Sequence, residues 1–401
     1  MASDRELTNW LDAYMTYTQN TEPPKSYHKW IGVSLIAAAL QRKVRMLWGH
    51  ETIYPNLYVI LVGPSGKCRK GTAMTIGTNI LKEIGVTLTS ESITREALIR
   101  KMGDTPLSFQ DTFDGAIKYH HSMTCFSEEL SVFLGQNDVK FLADLTNWYD
   151  SRDEWTYETK GSGKDKIQGV CFNFLGATAQ DWIPTMFPQE AVGGGFTSRC
   201  FFVVEENKAK TVPLHTLSQT EIDLQAALIR DLERIHNIAG VVRFDEETTQ
   251  IYVDWYSEQD ARNNSGHPAV ADPRFAGYVD RRATHVRKLS MIMMASRGGT
   301  DWVNKSDFDS ALILMKNAEM KMASAFGGLG RSQYAEAVET VLNLLMQRKS
   351  MKRSKLMQLL YRDIDSQALR VVEEVLLHMK VIRIKLLPSE GDSVYEYIPP
   401  K

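Results

Sequence analysis

Leu57-Tyr58-Val59-Ile60-Leu61-Val62-Gly63-Pro64-Ser65-Gly66-Lys67-Cys68-Arg69-Lys70-Gly71-Thr72 is the stretch on which the reading of this chain turns. Residues 57–62 are apolar, as a strand buried on both faces should be, and a loop of small residues follows. The pattern then predicts a helix over about 73–84. Strand, glycine loop and helix form the order that binds phosphate. Small residues let backbone N–H groups converge on phosphate oxygens, a helix N-terminus adds the positive end of its dipole, and a lysine bridges the terminal phosphates. Gly63, Pro64, Ser65, Gly66, Arg69, Lys70, Gly71 and Thr72 are therefore the candidate nucleotide-binding residues.

The loop is one residue longer than G-x-x-x-x-G-K-[ST], and two registers compete. Lys67 follows a glycine, but that register puts the first loop position at Leu61, inside the strand, and Cys68 where a hydroxyl should meet magnesium. Lys70 keeps Gly63 at the strand end, places Arg69 where the second glycine would stand, and leaves Thr72 to supply the hydroxyl.

Working outward, short apolar runs at 86–89, 123–126, 171–175 and 200–204 alternate with helical stretches, which predicts a three-layer α/β core with right-handed crossovers over 51–210. Phosphoryl transfer needs a carboxylate at the end of a neighbouring strand to hold Mg2+ and orient water. The run ending in Glu128 and Glu129 supplies two, assigned to magnesium and to water respectively. Thr178 leaves the next strand, where it reads γ-phosphate, orients water or caps a helix. Arg199 follows a glycine run, as a residue reaching a neighbouring subunit's phosphate would, or as a surface salt-bridging residue would.

Residues 1–50 read as a helical N-terminal region, 211–330 as a helical lid region in which Arg281 is a candidate to sense the γ-phosphate as the lid closes, or else a salt-bridging residue, and 331–401 as a winged helix, in which three helical segments precede a two-strand ribbon. Gly327, Gly328 and Gly330 mark a flexible junction. Residues 154–167 alternate and turn at a glycine-rich tip, a β-hairpin whose Lys160, Lys164 and Lys166 can track a nucleic-acid backbone. Lys352, Arg353 and Lys355 form a second basic patch, while the third helix carries Arg370 beside Glu373 and Glu374. That mixed charge argues for backbone contact or a protein–protein role over base reading.

With 401 residues, 43% apolar and 24% charged, the chain has material for more than one folding unit, and a formal net charge of −2 excludes a globally basic nucleic-acid coat. No apolar run reaches the roughly 20 residues of a spanning helix, and the polar first thirty residues lead us to expect a cytoplasmic protein with no membrane partner. Cys68, Cys125, Cys171 and Cys200 lack paired spacing and read as buried thiols.

These residues together resemble the helicase-related ATPases of phages and mobile elements, often attached to primase modules, whose P-loop core is of the RecA/AAA+ kind. The segments that carry the resemblance are Tyr27-His28-Lys29-Trp30, Tyr54-Pro55-Asn56-Leu57-Tyr58, the 63–72 loop, Ser127-Glu128-Glu129-Leu130, Thr159-Lys160-Gly161-Ser162-Gly163, Leu175-Gly176-Ala177-Thr178 and Gly194-Gly195-Phe196-Thr197-Ser198-Arg199, with a weaker echo at Asp280-Arg281-Arg282-Ala283-Thr284-His285. It implies ATP and Mg2+ as cofactors, an extended loop with arginine before lysine, and a DNA-replication setting. The chain departs from it at Gly71, where such loops usually carry serine, and at Glu128, where aspartate is usual. The expected function is ATP-driven translocation on single-stranded or forked DNA as a replicative helicase, assembled as a homo-oligomeric ring, a hexamer, with a primase or other replication proteins as partners. Two alternatives stand beside it: an ATP-switched replication initiator or helicase loader with weak hydrolysis, and a P-loop motor or scaffold acting on protein.

Overall fold

The apolar stripe that predicts a helix over residues 30–40 is buried at every position. Trp10–Tyr17 (α1) packs against Lys25–Leu40 (α2), and Asn9 caps α1 by accepting from the Leu11 and Asp12 amides. Gln41 breaks α2 with φ +53°, and Val44–Trp48 (β1) and Glu51–Ile53 (β2) follow as strands. Residues 41–50, read as part of a helical preface, thus contain strand. Interleaved Arg42, Lys43 and Arg45 break the apolar alternation, yet all three are buried.

The central sheet begins with Tyr58–Val62 (β3), followed by Lys70–Glu83 (α3), Arg95–Gly103 (α4), Leu107–Gln110 (β4) and Ile117–Ser127 (β5). Residues 86–89, predicted as a strand, pair with β5 only through the Leu88–Thr124 bridge. Leu130–Leu134 (α5) and Val139–Tyr149 (α6) lead to a hairpin of Glu154–Thr159 (β6) and Gly163–Gln168 (β7). Val170–Thr178 (β8), Ile183–Met186 (α7) and Cys200–Val204 (β9) complete this part. The sheet order is β4-β5-β8-β3-β9; β5, β8, β3 and β9 are mutually parallel, and β4 is antiparallel at the edge. All residues of β3, β8 and β9 are buried, as strands covered on both faces must be. On one face Tyr58 packs on Tyr149 of α6 with ring centroids 5.0 Å apart; on the other, Phe201 packs on Trp30 of α2 at 4.5 Å.

Gln219–His236 (α8), Gly240–Phe244 (β10), Glu246–Asn264 (α9), Ala276–Arg297 (α10), Trp302–Val303 (β11) and Lys305–Met322 (α11) follow. β10 and β11 join β1 and β2 in a second sheet, β11-β10-β1-β2, so the region read as mainly helical contributes strands to it. The chain is thus a mixed α/β protein with parallel sheets.

The structure, a computed structural model, describes residues 5–90, 92–135, 138–159, 163–187, 192–327, 335–361, 364–387 and 391–398. The chain divides into two compact units, residues 1–327 and 328–401. Residues 1–50 belong to the first unit, and Gly328 and Gly330 lie outside the described residues. The second unit contains Ala335–Arg348 (α12), Ser350–Lys352 (β12), Arg353–Leu360 (α13), Ser366–His378 (α14), Ile382–Leu387 (β13) and Asp392–Tyr397 (β14). Its antiparallel sheet has the order β12-β14-β13 and packs over a core that includes Leu345, Leu356, Leu369, Val372 and Tyr395. Among the described residues, no helix is long and apolar enough to cross a membrane.

Candidate active site

The glycine loop leaves β3 between its two parallel neighbours. The Gly63 amide donates to the Thr178 carbonyl at 3.2 Å, and the Glu205 amide donates to the Val62 carbonyl at 3.0 Å. The chain leaving β3 goes to the β5 side of the sheet, and the chain leaving β8 goes to β9 on the other side, so the loop sits where connections diverge. Its base is braced from outside. The Tyr27 hydroxyl of α2 donates to the Val62 carbonyl at 2.7 Å, and the buried Cys68 thiol donates to the Glu205 carbonyl at 3.2 Å. A β-carbon at Gly63 would stand 2.4 Å from that carbonyl and 2.5 Å from the Tyr27 hydroxyl, so the position accepts no side chain.

Pro64, Ser65, Gly66 and Lys67 are exposed on the turn. Arg69 then adopts the left-handed conformation at φ +54°, ψ 39°, the conformation a glycine would take without cost, and α3 starts at Lys70. The Arg69 side chain makes no capping hydrogen bond, so the first-turn amides of α3 keep the donor capacity that suits an anion. Lys70 curls back over the loop, donating to the Gly63 carbonyl and to the Pro64 carbonyl at 3.2 Å. Burial pushes its pKa down, an effect opposed by the negative charge of Glu129. Arg69 points away to Glu22 at 2.9 Å; the ammonium of Lys208, the Val212 amide and Arg69 together hold the Glu22 carboxyl at about 2.

Glu128 and Glu129 emerge, exposed, from the C-terminal end of β5. β5 is not the neighbour of β3 that the sequence reading assumed, because β8 lies between them. Glu128 nevertheless reaches the first turn of α3. The Thr75 hydroxyl is 3.1 Å from its Oε1, and a β-carbon at Gly71 would stand 2.9 Å from its Oε2. Residues 71 and 75 share a helix face, whereas Thr72 is turned about 100° away and is exposed. The hydroxyl beside Glu128 is therefore that of Thr75, which sequence reasoning passed over. Thr178 pairs in register with Val62 and is buried, its hydroxyl donating to the Ala179 carbonyl at 3.1 Å. Glu129 occupies the N-cap position of α5.

Arg199 and Arg281 stand elsewhere. Cys200 is in register with Tyr58 at the start of β3, so Arg199 lies at the edge of the sheet opposite the loop, roughly 16 Å away at about 3.3 Å per residue. It is 5% exposed, bonds Asp150 Oδ2 at 2.8 Å and donates to the Gly195 carbonyl at 2.8 Å. Arg281 shares the same carboxylate at 3.9 Å, which places it with Arg199 and away from its own chain's glycine loop. In the hairpin, Lys166 pairs with Glu154 at 2.7 Å, the Lys164 backbone pairs with Glu158, and Lys160 lies outside the described residues. Trp155 packs edge-on to Trp148 with centroids 5.4 Å apart, and Tyr157 lies under Arg95 at 4.7 Å. In the second unit Lys352 ends β12, Arg353 bonds Glu373 at 2.8 Å, and Lys355 is exposed in the first turn of α13.

All four cysteines are free and buried. Among the described residues no cluster of three or more His, Cys, Asp or Glu side chains can hold a metal. Magnesium in a phosphate site needs less, since one or two protein oxygens, phosphate oxygens and water complete its shell, and the Glu128 carboxylate, with the Thr75 hydroxyl bonded beside it, fits that need. Comparison with protein-family models and with curated proteins finds no match for this chain. The reading of the site therefore rests on its geometry.

That geometry makes one position unusually intolerant. Gly63→Ala forces apart the Tyr27 hydroxyl and the Glu205 carbonyl, which tie the loop to α2 and β9, so a loss of about 1–3 kcal/mol is expected in chemical denaturation. Gly66→Ala, with nothing within 4 Å of the added carbon but φ at +68°, should lose less.

Proposed function

We propose that this chain is a P-loop ATPase that hydrolyses ATP at the C-terminal edge of its parallel sheet and uses the energy to move along DNA. One observation supports the reading: a lysine-bearing glycine loop and the strand-end carboxylate of Glu128 meet at the start of α3, with Glu129 next in the chain. In this reading the loop amides and the Lys70 ammonium neutralise the β- and γ-phosphates. Glu128, with the Thr75 hydroxyl bonded beside it, would hold Mg2+, which when bound supplies charge neutralisation at the phosphates. Glu129 accepts a hydrogen bond from the attacking water and aligns it, while Thr178 lies beside the loop where a hydroxyl meets the terminal phosphate.

The DNA part of the proposal rests on the resemblance and on the β6–β7 hairpin with Lys160, Lys164 and Lys166; the second unit, read as a winged helix, adds Lys352, Arg353 and Lys355. In a homo-oligomeric ring, Arg199 would serve the neighbouring subunit's phosphate once that phosphate replaced Asp150 as its partner. The present pairing of Arg199 with Asp150 favours a second reading, an ATP-switched initiator or loader whose isolated subunits turn over slowly.

Steady-state ATP turnover, measured with and without single-stranded DNA and alongside unwinding of a forked duplex, tests this. The helicase reading expects Mg2+-dependent turnover, stimulation by single-stranded DNA that is lost in Lys160→Ala/Lys164→Ala, and unwinding of the fork. Turnover indifferent to DNA would remove DNA from the proposal and leave a protein-directed ATPase. Duplex binding without unwinding would select the loader.

A further inference from the structure

Gly71 and Glu128 depart from the usual phosphate-loop pattern in opposite directions. The residue after the lysine ordinarily carries a hydroxyl, and the strand-end acid is ordinarily aspartate. Here the first has lost its side chain and the second has gained a methylene. The two changes meet in space, because a β-carbon at Gly71 would lie 2.9 Å from Glu128 Oε2 and 3.5 Å from its carboxyl carbon. The longer acid thus fills the volume that a serine side chain would take. One helical turn on, the Thr75 hydroxyl lies 3.1 Å from Glu128 Oε1 and 3.0 Å from the Gly71 carbonyl. A hydroxyl has one proton and can serve only one of these acceptors at a time. Donating to Glu128, it fixes the carboxylate across α3; donating to the Gly71 carbonyl, it leaves its lone pairs facing the carboxylate's side of the helix.

We propose that Thr75 is the positioning residue of the site's metal-side carboxylate, and that Gly71, Glu128 and Thr75 form one size-matched unit in which Thr75 replaces the hydroxyl missing at Gly71. This rests on the ATPase reading above. It assigns a role to a residue five positions beyond Lys70, and it makes Gly71 a requirement of the longer acid.

The experiment measures equilibrium binding of a fluorescent ATP analogue across a Mg2+ titration and in EDTA. Thr75→Val should leave binding in EDTA unchanged and raise the Mg2+ concentration for half-maximal binding by about tenfold, the usual size of an outer-shell loss, while Thr75→Ser keeps the wild-type value. Gly71→Ser and Glu128→Asp should each weaken Mg2+-dependent binding, and the double variant should recover most of the loss, as contacting positions that exchange volume do. An unchanged Mg2+ midpoint in Thr75→Val, or losses that simply add in the double variant, overturns the proposal and leaves the ATPase reading standing. If the wild-type chain binds no nucleotide at any Mg2+ level, the ATPase reading falls instead. The pairing is then judged by melting temperature: a double variant more stable than the sum of its single shifts supports the size match, and additive shifts reject it.

Discussion

Lys70→Ala is expected to abolish ATP turnover and to weaken nucleotide binding steeply. The Lys70 ammonium opens α3 and folds back over the carbonyls of Gly63 and Pro64, so it is held where the loop can present it to terminal phosphates. Two charge-assisted hydrogen bonds to phosphate at roughly 1.5–3 kcal/mol each are lost on truncation, equivalent to at least about 100-fold in affinity. The loss of stabilisation for charge developing in the transition state should cost about 10²–10³-fold more in turnover. Lys67→Ala provides the matched control, since Lys67 stands exposed on the same turn. Isothermal binding and phosphate-release assays on both proteins decide between the registers, and a larger effect at Lys67 would move the phosphate site to that lysine.

Glu129→Gln should separate binding from chemistry. The substitution keeps the shape of the side chain and removes only its charge, so the N-cap position of α5 and the approach of Glu128 to Thr75 remain. The amide cannot align water as a carboxylate does, and a fall in turnover of about 10²–10⁴-fold is expected. Affinity for ATP should be retained, so the variant ought to accumulate as a nucleotide-bound protein in filter binding. Turnover at the wild-type rate would remove Glu129 from the chemistry and turn attention to Thr178.

The strand, loop and helix over 57–83 are legible because every signal is local: an apolar run, small residues, then helical periodicity. The buried strands at 171–175 and 200–204 and the hairpin are legible for the same reason. Strand order is not local. Nothing in the residues of β5 says that β8 will lie between it and β3, and the strand at 44–48 finds its parallel partner at 240–244, across most of the first unit. That Thr75 and not Thr72 lies beside Glu128 is a matter of helix phase and of where β5 ends, and Arg69 precedes the helix with a positive φ that its residue type does not announce. Arg199 follows a glycine run that suits a residue reaching a neighbouring subunit and a salt-bridging one alike. Its carboxylate partner, Asp150, ends a helix 49 residues earlier in the chain, out of range of any local pattern.

The Tyr27 hydroxyl bond to the base of the glycine loop bears on how this protein can be taken apart. Glu22, Ser26 and Tyr27 all hold groups at or beside that loop: Glu22 takes Arg69, Ser26 donates to Glu205 at 2.7 Å, and Tyr27 closes on Val62. Lys321, near the other end of the same unit, grips the second oxygen of Glu205 at 2.7 Å. A fragment cut to the strands that look like a self-sufficient core would lose both clamps and present a loop with no floor. The smallest piece worth expressing therefore starts ahead of Glu22 and runs past Lys321, and insertions or fusion joints belong after that point.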